Sequence, residues 1–270
     1  MVSAITVNVV LLNYNRPQNI PSIIEALRAQ SVPVNITLWH NGVTDDIPGA
    51  DRVVHSSANL GCLARWHMAA QSGCDYVVSL DDDLVPEDPR LFERCIAASE
   101  AAGDSRIIGR SGKLLGAGPR YYRNGTGVSA SRDGDREVDV VKGRFMFVPV
   151  RLLSRVPLYF EDYEGRGDDI WISLWTADRR AAHILPRFIR GAFREIPDAP
   201  ESNVGLADDP SHQLKRDMII SNLLEQGALP WFNDEDHSRI GRKIRRRVYG
   251  TYLRLGRRVR GYVDHRRGSY

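Results

Sequence analysis

Apolar strand segments and helically spaced segments alternate along this chain from Ile5 to Ala101, with only short connections between them. Ile5 to Leu12 (ITVNVVLL) is rich in β-branched and aliphatic residues on both alternating sets of positions, the pattern of a parallel strand buried on both faces. Asn13 to Pro17 breaks the run, and Ile20, Ile23, Ile24 and Leu27 then recur at helical spacing. Val34 to Trp39 reads as a second strand that ends at His40-Asn41-Gly42. A strand at Arg52 to His55, a helix from about Leu60 to Gln71, a strand from Tyr76 to Leu80 and a helix near Pro89 to Ala101 extend the alternation. This order predicts an α/β fold: a mostly parallel central sheet flanked by helices. Ligands of such sheets bind beyond the carboxyl ends of the strands, where the unusual polar residues of this half fall.

The second half is less regular. Gly109 to Gly134 is rich in Gly, Arg and Ser and reads as loops with short hairpin strands; Val138 to Val150 returns to strand character through Lys142-Gly143. Helices are expected from Asp168-Asp169 to about Ala181 and from about Pro210 to Gln226, followed by a linker at Pro230 to Asp236. The expected organisation is one domain over 1–230, with a nucleotide-binding half (1–86) and an acceptor and catalytic half (87–230), followed by a tail over 231–270. From Arg239 onward, twelve Lys or Arg stand against the single acid Asp264, so a chain of net charge +3 places +11 in its tail and −8 before it. Ile240, Ile244, Val248, Tyr252, Leu255, Val259 and Val263 recur among these arginines at helical spacing, an amphipathic basic helix suited to an anionic membrane surface through 239–267. A solvated helix docked on the acidic body explains the same pattern, and no base-reading motif accompanies the charge, which argues against nucleic acid. No run approaches the roughly 18 apolar residues that span a bilayer, and no basic stretch precedes the first apolar run. Cys62, Cys74 and Cys95 lack metal-ligand spacing and read as reduced thiols. The expected setting is cytoplasmic, with the tail peripheral on the cytoplasmic face of a membrane.

Asp81-Asp82-Asp83 follows the apolar run Val77-Val78-Ser79-Leu80 directly. Three adjacent carboxylates repel one another unless a cation or hydrogen-bond donors offset them. Hard oxygen ligands at a strand end suit Mg²⁺ or Mn²⁺, which in turn can bridge a diphosphate. A solvated acidic turn leading into the next helix is the simpler alternative.

Asp81-x-Asp83 after an apolar strand resembles the D-x-D motif of GT-A glycosyltransferases, and Val10-Leu11-Leu12-Asn13-Tyr14-Asn15-Arg16 resembles the opening of family 2 glycosyltransferases. Asn59-Leu60-Gly61 with Arg65, and Gly167-Asp168-Asp169-Ile170-Trp171, are similar to exostosin-like transferases. The similarity extends over roughly residues 5 to 225, and it implies a nucleoside diphosphate sugar donor, taken as a UDP-sugar, a divalent metal (Mn²⁺ or Mg²⁺) on the D-x-D, and transfer to an acceptor hydroxyl. Family 2 resemblance favours inversion at the anomeric carbon; exostosin-like resemblance favours retention.

The resemblance assigns Asp83 as the most direct metal ligand and Asp81 as a contact to the ribose or to a metal-bound water, with Asp82 able to serve either. It places Asn13, Asn15 and Arg16 against the nucleotide, although a turn with Pro17 opening a helix accounts for them equally. Asn41 can offer a base edge both a donor and an acceptor, yet Asn-Gly is also an ordinary turn pair. Asn59 and Arg65 are expected to face the nucleotide or its phosphates, a solvated arginine being the alternative. Gly143 would let the donor sugar approach the backbone, or simply mark a strand bend. His212 lies where several GT-A enzymes supply a third metal ligand or a phosphate contact, or it is a plain helix-start residue; Arg216, one turn on, would face the same diphosphate. Alignment of Asp168-Asp169 with the Glu-Asp pair of the resembled families makes Asp169 the base that takes the acceptor proton, with Asp168 in the position usually held by Glu and free to cap the helix. Together these predict a metal-dependent glycosyltransferase acting on a glycan or lipid-linked acceptor. The rivals are a nucleotidyltransferase on a related sheet, for which the glycine-free Asn13 to Pro17 turn is unfavourable, and a noncatalytic membrane- or nucleic-acid-binding protein, which explains only the tail.

Overall fold

The computed structural model describes residues 5–42, 47–116, 121, 125–157, 166–178, 181–197 and 211–226. The linker and basic tail over 230–270 lie outside the described residues. The first strand, β1 (Val7–Asn13), is buried along its whole length, as its unbroken apolar run requires. It pairs in parallel with β2 (Val34–Asn41) on one side and with β4 (Tyr76–Asp81) on the other, and β3 (Arg52–Ser56) extends the sheet beyond β2. The register sets Leu12 beside Asp81 and Asn13 beside His40, so the polar ends of three strands meet on one edge.

Between these strands run α1 (Ile20–Arg28) and α2 (Ala64–Ala70). Ile20, Ile23, Ile24 and Leu27 form the buried face of α1, and a single 3-10 turn at Pro17–Asn19 precedes it. The expected helix over 60–71 starts only at Ala64, because Asn59 to Gly61 is held as a loop by the Asn41 side chain. A short β5 (Leu84–Pro86) follows the acid triplet, and α3 (Leu91–Ala101) closes this half.

Beyond α3 the sheet becomes mixed. The eight strands run in the order β3-β2-β1-β4-β11-β6-β12-β9, where β6 is Ile108–Gly109, β9 Arg136–Val138, β11 Phe145–Pro149 and β12 His183–Leu185. Strand β11 is antiparallel to both β4 and β6. The expected hairpin strands are β7 (Ser111–Leu114) and β8 (Thr126–Ser129), which with β10 (Val140–Val141) form a separate three-stranded sheet. The strand expected over 138–150 is therefore three pieces, the end of β9 at Val138, β10 in the small sheet and β11 back in the main one, and Lys142-Gly143-Arg144 is the crossing from β10 to β11; Val150 already opens the short helix α4 (Val150–Leu153). Helix α5 (Asp168–Thr176) stops five residues short of the expected Ala181, since Ala177 turns extended and Ala181 takes a φ of +53°. Strand β13 (Phe193–Glu195) pairs antiparallel with β5, and α6 (His212–Glu225) packs against α5. No described helix is long and apolar enough to cross a membrane.

Candidate active site

Packing of the turn that follows β4 decides which acid of the triplet is buried. Asp82 is buried, 5% exposed, and its carboxylate is fully engaged: Oδ2 accepts from the Tyr14 backbone N–H at 2.8 Å and Oδ1 pairs with Arg16 at 2.8 Å. The Asn19 amide also donates to the Asp82 carbonyl at 2.9 Å. Asp82 thus ties the turn after β1 to the end of β4, where burial pushes its carboxyl up to about 6 against the pull of Tyr14 N–H and Arg16. Its neighbours are more open. Asp81 and Asp83 have side chains 28% and 19% exposed.

Each of the two meets an arginine. Arg65, itself buried, pairs with Asp81 at 2.8 Å through Nη1 and with Asp168 at 3.4 Å through Nε. Burial works to lower the Arg65 pKa, but Asp81 and Asp168 outweigh it and hold the guanidinium above its ordinary value. Arg144 approaches Asp83 at 3.1 Å and Glu195 at 3.2 Å, and Glu195 is bonded in turn to Arg110. Burial raises the Asp83 carboxyl, opposed by Arg144.

The second acidic pair opens α5. Gly167 precedes it in the left-handed region, φ +76°, which favours glycine, and a Cβ there would lie 2.2 Å from Ile219 Cδ1 of α6 and displace the tip of that side chain. Gly167, not Asp168, is the N-cap residue, which corrects the capping role expected of Asp168, and it is Asp169 Oδ1 that accepts a first-turn N–H, from Ile170 at 2.9 Å. Both carboxylates also turn toward cations. Asp168 Oδ2 accepts from the Trp66 indole N–H at 2.8 Å and faces Arg65, and burial raises its carboxyl against Arg65 while Asp169 adds to the rise. Asp169 receives Arg216 Nη2 on both oxygens, at 2.9 and 2.8 Å. Gly143 lies over this pair: a Cβ on it would stand 3.5 Å from Asp169 Cβ, 3.7 Å from Arg65 Nη2 and 3.9 Å from Asp168 Oδ1. Asp81, Asp82, Asp83, Asp168 and Asp169 are thus each paired with an arginine, and Arg65 joins the end of β4 to the start of α5.

The remaining expected residues sit around this core. Asn13 is fully buried, its amide 2.9 Å from His40 Nδ1. Asn15 is exposed in the turn with φ +59°. Asn41 is 1% exposed and spends its amide internally, donating to Asn59 Oδ1 at 2.6 Å and accepting from Leu60 N–H at 2.7 Å. It shapes the Asn59-Leu60-Gly61 loop and leaves Asn59, which is exposed, at the surface of that loop. His212 is buried in the first turn of α6, one turn before Arg216; among the described residues no three His, Cys, Asp or Glu side chains gather as a metal cage. Trp66 and Arg144 were not expected among the site residues. Trp66 follows Arg65 and Arg144 follows Gly143, so adjacency was the available signal, but only the fold shows that they face the acids.

Comparison with protein-family models and with curated proteins gives no match. Comparison with solved structures does. The mannosyltransferase PcManGT from Pyrobaculum calidifontis, solved with GDP-Man and Mn²⁺, superposes with a TM-score of 0.51 at 15% identity, over 86% of this chain and 74% of that one. A mycobacterial protein superposes with a TM-score of 0.51 at 19% identity, over 83% of this chain and 75% of that one. At such identities the shared property is the fold, and the fold of this chain is that of the GT-A glycosyltransferases.

Proposed function

We propose that this chain is a metal-dependent glycosyltransferase that moves a sugar from a nucleoside diphosphate sugar to an acceptor hydroxyl. The observation that carries the reading is the placement of two acid groups with different surroundings on one GT-A sheet edge: Asp81 and Asp83, partly open, at the end of β4, and Asp168 and Asp169, buried, at the start of α5. The open pair offers hard oxygen donors that fit Mn²⁺ or Mg²⁺, and with only two such side chains the cation's other positions fall to diphosphate oxygens and water, as this class of ion favours. Such a cation, when bound, offsets the charge of the diphosphate and of the leaving group.

The protein's own residues do the rest. Asp82, through Tyr14 N–H and Arg16, fixes the turn carrying Asn13 and Asn15 against the D-x-D strand, and Asn41 fixes the Asn59 loop on the neighbouring strand; both act by positioning the nucleotide cleft. Arg65 links Asp81 to Asp168 and so sets the spacing between the donor end and the reacting end. Gly143 leaves room above the acid pair for the sugar. In the transfer step the acceptor oxygen bonds to the anomeric carbon, the bond from that carbon to the diphosphate breaks, and the acceptor proton passes to Asp169, oriented by Arg216.

Ligands that bind only the folded state raise its stability by mass action, so a thermal-shift screen of nucleoside diphosphates tests the reading directly. One nucleotide should raise the melting temperature in Mn²⁺, and Asp83→Ala should remove that shift while leaving the unliganded melting temperature close to the parent. A shift that is the same without Mn²⁺, or is undiminished in Asp83→Ala, sinks the metal assignment.

A further inference from the structure

The two outer acids of the D-x-D carry arginines of different kinds. Arg65 on Asp81 is fixed: its side chain is 2% exposed, and its Nε both donates to the Cys62 carbonyl at 3.0 Å and faces Asp168. Arg144 on Asp83 is 35% exposed and holds a second carboxylate. Its Nε and Nη2 stand 3.3 and 3.1 Å from one oxygen, Asp83 Oδ1, while its Nη1 lies 3.2 Å from Glu195 Oε2. Burial works against the Arg144 charge, but Asp83 and then Glu195 outweigh it and hold the guanidinium above its ordinary pKa.

The backbone fixes both ends of this bridge. The Asp81 N–H donates to the Arg144 carbonyl at 3.2 Å, so the arginine is anchored on the D-x-D strand itself. Glu195 lies opposite Leu84 in the β13–β5 pair, and the next residue, Ile196, donates its N–H to the Asp83 carbonyl at 2.9 Å. Asp83 and Glu195 therefore keep their spacing whichever of them the guanidinium holds. Glu195 is held in turn by Arg110 through its other oxygen, Oε1.

A divalent cation at Asp83 has to compete with this arginine. Such ions take carboxylate oxygens at about 2.1 Å, well inside the 3.1 to 3.3 Å at which Arg144 holds Oδ1, and two positive groups on one oxygen repel. The other oxygen, Oδ2, stands 3.8 Å from Arg16 Nη1. Release from Asp83 does not leave Arg144 unpaired, because its contact with Glu195 is already made. We infer that Arg144 is a placeholder for the cation: it occupies Asp83 in the metal-free protein and is displaced onto Glu195 when the metal arrives. The bridge lowers the affinity for a lone cation, so the ion is retained chiefly in company with the diphosphate that supplies its remaining oxygens. This role rests on the metal assignment proposed above.

The resonance of aqueous Mn²⁺ in electron paramagnetic resonance disappears on binding, so titrating Mn²⁺ into the full chain reads its affinity without turnover. A site is weakened by the fraction of time that it is closed, and Arg144→Gln should bind Mn²⁺ about tenfold more tightly than the parent, both in the free chain and with UDP or GDP present. Glu195→Gln removes the alternative partner and should weaken Mn²⁺ binding by a smaller factor. Arg110→Gln removes an equal charge that is paired with Glu195 and not with Asp83, and it should change the affinity little. In an Asp83→Ala background, adding Arg144→Gln should give no gain. Mn²⁺ affinity in Arg144→Gln at or below the parent's would overturn the proposal. So would a gain matched by Arg110→Gln, the sign of a general field, or one that persists with Asp83→Ala. Should Arg144→Gln fail to fold, Glu195→Gln carries the test, and unchanged or tighter binding there overturns it. Mn²⁺ that binds the parent but ignores Arg144 sinks the placeholder alone, whereas Mn²⁺ that binds no form, with or without nucleotide, sinks the metal assignment and the placeholder together.

Discussion

The half of the sheet built from β1 to β4 and the half that follows α3 solve the same problem by different means. In the first, long parallel pairings satisfy the backbone and apolar side chains fill both faces; Val9, Val10, Leu11, Ile36 and Val78 have no measurable exposure. In the second, several strands are only two or three residues long, and buried side chains complete what the ladder leaves open. Asp139 accepts from the backbone N–H groups of Leu115 at 2.6 Å and Ala181 at 2.7 Å. Ser173 Oγ accepts from Val141 N–H at 3.0 Å, and His183 accepts from Ile107 N–H through Nδ1 at 3.2 Å while its Nε2 donates to the Ser173 carbonyl at 2.7 Å. A ladder is indifferent to which apolar residue occupies it. A side-chain bridge is specific to one residue, so the first half should tolerate substitution that the second does not, and α5, which carries Asp168 and Asp169, hangs on the second.

The sharpest way to break this contrast is to remove one bridge. Asp139→Ala leaves the buried Leu115 N–H and the partly buried Ala181 N–H without their acceptor, at about 1–3 kcal/mol each, for an expected loss of about 4 kcal/mol. Ile36→Val in β2 should cost only about 1 kcal/mol. Urea denaturation of the two variants settles it: equal costs would mean that the second half is no more residue-specific than the first.

Acid should find the same weakness. Burial depresses His183 from 6.5 to about 4, despite its bond to the Ser173 carbonyl. The unfolded chain therefore takes up this proton first as pH falls, so the stability that His183 contributes is fully present above about pH 6.5 and is lost on descent toward pH 4, by about 3 kcal/mol over the interval. His183→Gln should be less stable than the parent at pH 7.5 but should lose less on acidification. An identical pH slope in parent and variant, from urea midpoints, would place the acid sensitivity elsewhere.

This division also explains what could be read from the residues alone. The strands β1, β2 and β4 and the helix α1 announce themselves, because a long buried strand and an amphipathic helix each leave a periodic pattern. Strands β5, β9, β12 and β13 are each three residues long and leave none. The break at Lys142 to Arg144 was hidden for a related reason: both flanks are apolar strand, and only the fold shows that they belong to different sheets. Among the site residues, residue chemistry and the family resemblance indicated Asp81, Asp83, Asp168, Asp169 and Arg65, and the fold joins Asp81 to Asp168 through Arg65 while Asp83 and Asp169 each take an arginine of their own. Asp82 lies in the turn after β4, and which of three consecutive acids faces in depends on packing against Arg16 and Asn19, which no local pattern states.

The contrast extends to chemistry, since the open acids belong to the first half and the buried acids to the second. Asp169→Asn should lower transfer about a hundredfold, the usual scale for a general base, while nucleoside diphosphate binding at Asp81 and Asp83 persists. Steady-state rates corrected for the folded fraction give the answer. A larger loss in Asp168→Asn would move the base by one residue.

The smallest expected effect tests the space between the two halves. Gly143 has no positive φ, and the nearest atoms to an added Cβ, on Asp169, Arg65 and Asp168, stand 3.5 to 3.9 Å away, which is ordinary van der Waals contact. Gly143→Ala should therefore fold normally, and loss of glycine's freedom in the unfolded chain should shift stability upward by a few tenths to about 1 kcal/mol. Under the proposed transfer, the methyl would nevertheless occupy room above Asp168 and Asp169 that is assigned to the reacting sugar. Because misplacing reacting groups by even an ångström is costly, transfer should fall by about tenfold, with nucleoside diphosphate affinity unchanged. A melting temperature at or above the parent, together with reduced turnover, would separate this spatial role from a structural one. Turnover equal to the parent would show that Gly143 serves only the crossing from one sheet to the other.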